Sequence, residues 1–316
     1  MTSITLTMTD QDIQKMQAFY QDYLLNTVPY SVFRAKKNNT TITAYTSGKV
    51  LFQGNDAQQE AEQWQARATT VDSKAPKKES PTITPLVKKL HQANLIGSDE
   101  VGNGSYFGSL TVCAVYLPQD KQALVKELGV RDSKVLTDTQ IRQIAADLKV
   151  TLTYKLVECP PIRYNKMTST MNANQIKVAL HNEALQALIN EKMNDNEKAE
   201  FDGVLIDQFT SEKNFYHYLK NEPHPYSGKI HFMEKAESHN LAVASASIIA
   251  RAAFVDSLVR LGKPYGRKLP SGAGKNVDLF AAELIRDHGE GALFKTAKLH
   301  FANTKKAKLL ANKYKY

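Results

Sequence analysis

Apolar positions change their period along the chain, and each change marks an element. Behind Thr9, a residue suited to an N-cap, Ile13, Met16, Tyr20, Tyr23 and Leu24 recur near helical spacing, which predicts a helix over 10–26. The period then shortens. Ser31 to Ala35, Thr41 to Tyr45 and Lys49 to Gln53 read as short strands, separated by the turn-rich KKNNT and by Ser47-Gly48. Asn55 or Asp56 can cap a second helix, whose apolar stripe is Ala57, Ala61 and Trp64. Its helical phase makes Trp64 a core residue rather than a base-stacking platform. Residues 1–70 thus read as a small α+β domain.

Residues 71–89 lack an apolar period, and the prolines around them mark a linker. A larger domain, 90–316, follows. Its pattern is strand (94–98), strand (106–117), helix (138–148), strand (151–157), helix (172–191), strand (203–207), helix (213–220), then mostly helix to the end. Such alternation argues for an α/β domain with helices covering a mixed sheet. No internal repeat is present.

Composition narrows the class. A chain of 316 residues with 42% hydrophobic and 23% charged residues is long enough for two cored domains, and wholesale disorder is excluded. The two cysteines, Cys113 and Cys159, have no CxxC neighbour, which disfavours a disulfide framework and a cysteine zinc site. Cys113 sits in an apolar run and reads as a small buried hydrophobe. The start MTSITLTMTDQD has no basic, then apolar, leader pattern, and no unbroken run long enough to span a bilayer is evident, so a cytoplasmic protein is expected.

The net charge of +9 points to an acidic partner such as nucleic acid. It is local. Lys74, Lys77, Lys78, Lys88 and Lys89 outweigh Asp72 and Glu79 in the linker, and residues 298–316 carry lysines, Lys305 and Lys306 among them, with no acid. The stretch 23–55 is also acid-free and holds Arg34, Lys36, Lys37 and Lys49. Strand alternation puts Arg34 and Lys36 on one face, where basic groups can follow a phosphate backbone together.

Candidate chemistry concentrates at Asp99. The apolar Leu95-Ile96 leads through Gly97-Ser98 into Asp99-Glu100, and Gly102, Asn103 and Gly104 follow. Adjacent carboxylates at a buried strand end are costly unless something neutralises them. A dinucleotide site would need a helix after the glycines, but the chain continues as SLTVCAVYL. Asp207 ends a second apolar run, and Glu237 precedes the small-residue helix beginning near Leu241, which can pack very closely. Acids at strand ends beside glycine suit hard cations such as Mg²⁺ or Mn²⁺. Zinc is disfavoured, since the histidines never take HxxxH spacing on a predicted helix; His181, near Glu183, is expected to be solvated or hydrogen-bonding.

At these residues the sequence resembles bacterial ribonuclease HIII, in the ribonuclease H type 2 superfamily. The resemblance rests on GSDEVGNGSYFG, on DSKVLT at 132–137, LIDQF at 205–209 and KAESHNLAVASASIIAR at 235–251, and on LPSGA at 269–273 and AKLHFANTKKA at 297–307. SGKVLFQGNDAQQEAEQW at 47–64 extends it into the first domain. The family departs from this chain at two positions: Asn103, where a basic residue is frequent, and Ser109, where proline is usual. Neither removes a carboxylate, though the loop's contacts to a substrate backbone could be reshaped.

The resemblance implies an α/β ribonuclease H-like catalytic domain after an α+β domain similar to the TATA-binding protein. It implies an endonuclease that hydrolyses the RNA strand of RNA–DNA hybrids with two divalent cations, leaving 5′-phosphate and 3′-hydroxyl ends. Carried over by motif, Asp99, Glu100, Asp207 and Glu237 are the catalytic and metal-binding residues. Gly102, Asn103 and Gly104 would read the 2′-hydroxyl, Lys134 with Lys166 and the tail would grip the backbone, and Arg34, Lys36, Lys37 and Lys49 would hold the hybrid. A monomer with no membrane partner and no small organic cofactor is expected. The alternatives are a type 2 enzyme preferring single ribonucleotides in duplex DNA, and a non-catalytic nucleic-acid-binding module.

Overall fold

The computed structural model describes residues 2–27, 31–67, 70–72, 90, 93–194 and 201–313. They belong to two compact units, residues 1–84 and 85–316.

In the first unit the strands β1 (Thr2–Thr7), β2 (Leu24–Leu25), β3 (Ser31–Lys37), β4 (Thr40–Tyr45), β5 (Lys49–Gly54) and β6 (Thr70–Asp72) form an antiparallel sheet in the order β2-β3-β4-β5-β1-β6. Helices α1 (Asp10–Phe19) and α2 (Ala57–Gln65) cover one face. Thr9 caps α1, accepting the backbone N–H of Asp12 at 3.2 Å. Alternation sends Ile4, Leu6, Phe33, Ala35, Ile42, Ala44, Val50 and Phe52 to the helical face, where they meet Ile13, Met16, Tyr20, Ala57, Ala61 and Trp64. Trp64 is core, as its helical phase predicts, and its Nε1 donates to Tyr20 Oη at 3.0 Å.

The sequence reading misses four features here. The helix stops at Phe19 rather than near 26, because Tyr20 turns inward, fully buried with its hydroxyl on Glu60 Oε2 at 3.0 Å. Leu24 and Leu25 then pair with Ala35 and Arg34 at the sheet edge. β1 has a plain two-residue alternation and lies between β5 and β6. β6, in turn, draws Thr70–Asp72 into the sheet, so Val71 and Asp72 are not linker. The rest of the 71–89 linker, apart from those two, lies outside the described residues.

In the second unit β7 (Leu95–Val101), β8 (Leu110–Leu117), β9 (Thr153–Cys159), β10 (Gly203–Asp207) and β11 (Ile230–Met233) make a mixed sheet in the order β11-β10-β7-β8-β9. β7, β8 and β9 are antiparallel neighbours, whereas β10 runs parallel to β7 and β11 to β10. Among the described residues the α-helices with both ends defined are α3 (Gln122–Glu127), α4 (Asp138–Thr151), α5 (Pro161–Met167), α6 (Ala173–Asn194), α7 (Glu212–Leu219), α8 (Leu241–Gly262), α9 (Lys275–His288), α10 (Gly291–Thr296) and α11 (Asn303–Lys313). α4 and α8 pack on one face of the sheet, α6 and α7 on the other, and α9 to α11 build a further core against the end of α8.

The segment Leu241–Tyr265 is long and apolar enough to cross a membrane, but 78% of its most apolar window is buried inside this domain. Its small residues let β7 approach closely: a Cβ on Gly97 would fall 2.3 Å from the carbonyl carbon of Ala242. Three features differ from the pattern. β7 runs on past 98 to Val101 and so carries Asp99 and Glu100 within the strand. β8 starts at Leu110 rather than 106, because Gly108 takes φ +85° and Phe107 bridges to Ala297 instead. β11 interrupts the stretch after 220 that reads as helix; four residues on a sheet edge leave almost no periodic signal.

Candidate active site

Asp99 and Glu100 lie inside β7, opposite Cys113 and Val112 of β8, so their side chains leave opposite faces of the sheet. Asp207 ends β10, one residue beyond the pair Ile206–Ser98, which brings it beside Asp99. Glu237 sits in the turn Ala236–Ser238 just before α8, following Lys235 in a left-handed conformation with φ 56°. All four carboxylates line one open pocket of about 470 Å³, with Gly102, Asn103, Gly104, Ser133, Lys134, Ser247 and Arg251.

The two halves of the pocket are braced differently. On the α8 face, Ser247 hydrogen-bonds Asp99 and lies 3.0 Å from Ser133 Oγ, while the N–H of Glu100 donates to Asp99 Oδ1 at 2.8 Å. Arg251 holds the Ser133 carbonyl through Nη1 and Asp138 through Nη2 at 3.2 Å. The DSK turn is also stapled to the Glu237 turn: Ser238 Oγ donates to Asp132 Oδ2 at 2.7 Å, and Lys134 Nζ donates to Glu237 Oε1. On the α6 face, Glu100 meets Lys177 Nζ at 3.1 Å and His181 Nε2 at 3.0 Å.

The electrostatics are those of acids crowded out of water. Burial pushes Asp99 well above the usual carboxylate range, and the charges of Glu100 and Asp207 push it further. Burial and the Glu237 charge raise Asp207 to about 6, against the lowering effect of the Ala236 N–H. The bond to Glu237 raises the Lys134 ammonium. The Glu237 side chain is 2% exposed, yet its Oε2 has no hydrogen-bond partner. An orphaned, buried carboxylate oxygen among three other acids suits a hard cation. Among the described residues no three acids, histidines or cysteines stand together as a ready-made metal site; the four carboxylates share one pocket without forming a closed ligand set.

The glycine loop is shaped by distant motifs. Gly102 has φ +100°, and a Cβ there would lie 2.3 Å from the Ser109 carbonyl oxygen, so the position requires glycine. Asn103 and Gly104 are exposed at its tip. The LPSGA segment joins it through Tyr106 N–H to the Gly272 carbonyl at 2.9 Å, and Lys298 Nζ donates to the Gly108 carbonyl at 2.7 Å. Lys298 is therefore no solvated tail lysine: burial lowers its ammonium to about 7. Ser109 uses the hydroxyl that a proline would lack, donating to Glu158 Oε1 at 2.6 Å, and its N–H donates to Ser257 Oγ at 3.1 Å.

The remaining sequence candidates are dispersed. Lys166 is exposed on α5 and Lys305 on α11; Lys306 lies 3.8 Å from Asp278. In the first unit Arg34, Lys36, Thr41 and Gln53 line a groove of about 410 Å³ on the face of the sheet that carries no helix. Lys49 shares that face with Leu51 and Gln53, by strand alternation. Lys37 does not. It points to the helical side, 3.3 Å from the buried Glu60 and over the Phe19 ring, because it stands one residue out of phase with Lys36.

Sequence reasoning passes over Ser133, Lys177, Ser247 and Arg251, and it leaves His181 open between solvent and a hydrogen bond. His181 is fully buried and bonded to Glu100, while Glu183 pairs with Arg163. A signal existed: Lys177 and His181 stand four apart in IKVALHNEALQALI, a helix apolar nearly all round, where a basic group needs a buried partner.

Comparison with known proteins agrees with this geometry. The ribonuclease HII family model matches residues 96–304, and a domain of unknown function, DUF3378, matches residues 3–77. A ribonuclease HIII of Enterococcus faecalis is 46% identical over 94% of this chain and 95% of its own length. One from Bacillus licheniformis is 45% identical over 95% and 96%. Among solved structures, Bst-RNase HIII in complex with Mn²⁺ superposes with a TM-score of 0.69 at 36% identity, covering 98% of this chain and 99% of that one. The ribonuclease H2 of Pyrococcus horikoshii shares the fold at 19% identity, with a TM-score of 0.56 over 70% of this chain. Matched by the ribonuclease HII model over residues 96–304 and 45–46% identical to ribonuclease HIII relatives over nearly its whole length, the chain belongs to the ribonuclease HIII family.

Proposed function

We propose that Asp99, Glu100, Asp207 and Glu237 hold two divalent cations, Mg²⁺ or Mn²⁺, and that this ribonuclease H endonuclease cuts the RNA strand of RNA–DNA hybrids to 5′-phosphate and 3′-hydroxyl ends. The observation that carries the reading is the convergence of four carboxylates on one pocket, with a buried Glu237 oxygen left unpartnered. Carboxylates repel phosphate, and their place beside a nucleic-acid path makes sense only with metal. The complex of Bst-RNase HIII with Mn²⁺ supports the choice of ion. Bound cations would acidify the attacking water and stabilise charge on the leaving 3′-oxygen.

The chain's own residues supply the rest. Gly102, Asn103 and Gly104 bring backbone close enough to read a 2′-hydroxyl. Lys134 is 71% exposed at its side chain, free to exchange Glu237 for a substrate phosphate. Arg34, Lys36 and Lys49 give the first unit a basic face for the hybrid backbone. We read the protein as a cytoplasmic monomer, where such hybrids arise. The test is cleavage of matched RNA–DNA hybrid, duplex RNA, duplex DNA and a single-ribonucleotide duplex with Mg²⁺ or Mn²⁺. Fast cutting of the hybrid alone is expected; equal or faster cutting at a single ribonucleotide would favour a type 2 preference.

A further inference from the structure

Glu100 differs from the other three carboxylates in having both oxygens engaged by basic side chains: Oε1 by Lys177 Nζ at 3.1 Å, and Oε2 by His181 Nε2 at 3.0 Å. A carboxylate only accepts, so His181 Nε2 carries a proton. The imidazole is fixed from behind as well: with the proton on Nε2, its Nδ1 is free to accept from the Ser98 hydroxyl 2.7 Å away, and Ser98 Oγ also lies 3.1 Å from the Cys113 carbonyl oxygen. Phe209, two residues after Asp207, closes the arrangement: the Lys177 ammonium stands 3.8 Å from its ring centroid and the His181 ring stacks on it at 5.3 Å.

Both basic groups are out of solvent, with side-chain exposures of 5% for Lys177 and 0% for His181. Neither lines the carboxylate pocket. A buried ion pair contributes little to stability beyond what apolar residues of the same volume would contribute. Packing alone therefore gives no reason for α6 to bring a lysine and a histidine, one turn apart, onto a single metal ligand.

We propose that Lys177 and His181 are positioning residues for the reaction: they fix the Glu100 carboxylate through both oxygens, and the Lys177 charge restrains the pocket's affinity for divalent cations. Four carboxylates around a part-buried pocket attract cations strongly, and one fixed ammonium on the far side of Glu100 offsets part of that field. The proposal rests on the reading of these carboxylates as metal ligands. It makes two changes run in opposite directions when Lys177 is replaced. Cation affinity rises, because a positive charge is gone, and turnover falls, because Glu100 is free to rotate.

The experiment uses the full chain. Mn²⁺ binding without nucleic acid is measured by titration calorimetry for the wild type, Lys177→Met, Lys177→Gln, Lys177→Arg and Asp207→Asn, and kcat and KM are measured on an RNA–DNA hybrid. Lys177→Met and Lys177→Gln are expected to bind Mn²⁺ about threefold to tenfold more tightly and to lose on the order of tenfold or more in kcat, with KM for the hybrid within about twofold. Lys177→Arg restores both toward wild type. Near-ultraviolet circular dichroism reports folding, and Gln offers a neutral N–H donor without the charge if Met disturbs the core. Mn²⁺ affinity that is unchanged or weaker in the folded variants, or kcat that stays at the wild-type value, overturns the proposal. Asp207→Asn separates the two levels: undiminished Mn²⁺ binding there would instead overturn the assignment of the carboxylates as ligands.

Discussion

Asp207 Oδ1 accepts the backbone N–H of Ala236 at 2.8 Å, which ties the end of β10 to the turn that carries Glu237. The acid is thereby aimed at the pocket while burial and the Glu237 charge raise it to about 6. If Asp207 is a metal ligand, as proposed, a proton and a cation compete for it. Mn²⁺ binding is expected to weaken as pH falls through about 6 and to release protons there. Calorimetry at pH 6 and pH 8, in buffers of different ionisation enthalpy, checks it. A binding enthalpy independent of the buffer at pH 6 would contradict it.

The same shift fixes a sign for stability. An acid whose folded value is raised stabilises the fold while it is protonated and costs stability once pH rises through about 6. Metal-free Asp207→Asn keeps an oxygen for the Ala236 N–H but never carries the charge. It should melt above the metal-free wild type at pH 8, by about 2–4 °C for each kcal/mol gained. The difference should shrink toward pH 5. A gap that does not change with pH would show that the charge is already compensated in the fold.

Catalysis should respond far more strongly. Asp99→Asn or Asp207→Asn is expected to lower cleavage of the hybrid on the order of a thousandfold or more, since several kcal/mol of transition-state stabilisation leave with a metal ligand. Hybrid binding should persist, because negative charge beside phosphate is removed. Filter binding and single-turnover cleavage measure the two effects separately. Near-normal turnover by a folded variant would remove that carboxylate from the reaction.

Much of this site is legible in the sequence because its acids sit where periodic apolar runs end. Asp207 closes GVLID, and Glu237 precedes a helix whose composition announces close packing. What the pattern hides is the face each side chain takes. Asp99 and Glu100 are neighbours in sequence, yet one is braced by α8 and the other by α6, a distinction that appears only once β7 is seen to continue through both. Lys37 fails as a surface residue for the same reason, a single step of alternation past Lys36. The short edge strands β2 and β11 escape because their stability lies in pairing with neighbours, not in their own residues.

The close approach of β7 to α8 is testable by adding one methyl group. At Gly97 an alanine Cβ would lie 2.3 Å from the Ala242 carbonyl carbon and 2.4 Å from the Val243 nitrogen, both backbone atoms that cannot swing aside. Gly97→Ala should cost about 1–3 kcal/mol as an overpacked contact. Asp99, two residues on along the same face, should shift with the strand, so kcat should fall in the folded fraction as well. Thermal melting and active-site-normalised turnover check the pair of effects. An alanine variant with wild-type melting would show that helix and strand can separate freely.

The first unit offers a sharper contrast, because two adjacent lysines stand on opposite faces of one strand. Arg34 and Lys36 share the helix-free face, beside Thr41 and Gln53 in the groove. Lys37 instead neutralises Glu60, which is 3% exposed and also takes the Tyr20 hydroxyl. If the helix-free face follows a hybrid backbone, each lost phosphate contact lowers the magnitude of the log–log salt slope by about 0.7–0.9. Arg34→Ala with Lys36→Ala in the full chain should therefore weaken hybrid binding and flatten its salt dependence by up to about two contacts. kcat at saturating substrate should be nearly unchanged, since every carboxylate of the pocket remains. Lys37→Met should do the reverse, leaving the salt slope alone while lowering the melting temperature, because it strands a buried carboxylate. Hybrid affinity across a salt series, with melting curves for each variant, measures both. An unaltered slope in the Arg34/Lys36 variant, or a flattened one in Lys37→Met, would mean that the hybrid does not lie along the helix-free face of this sheet.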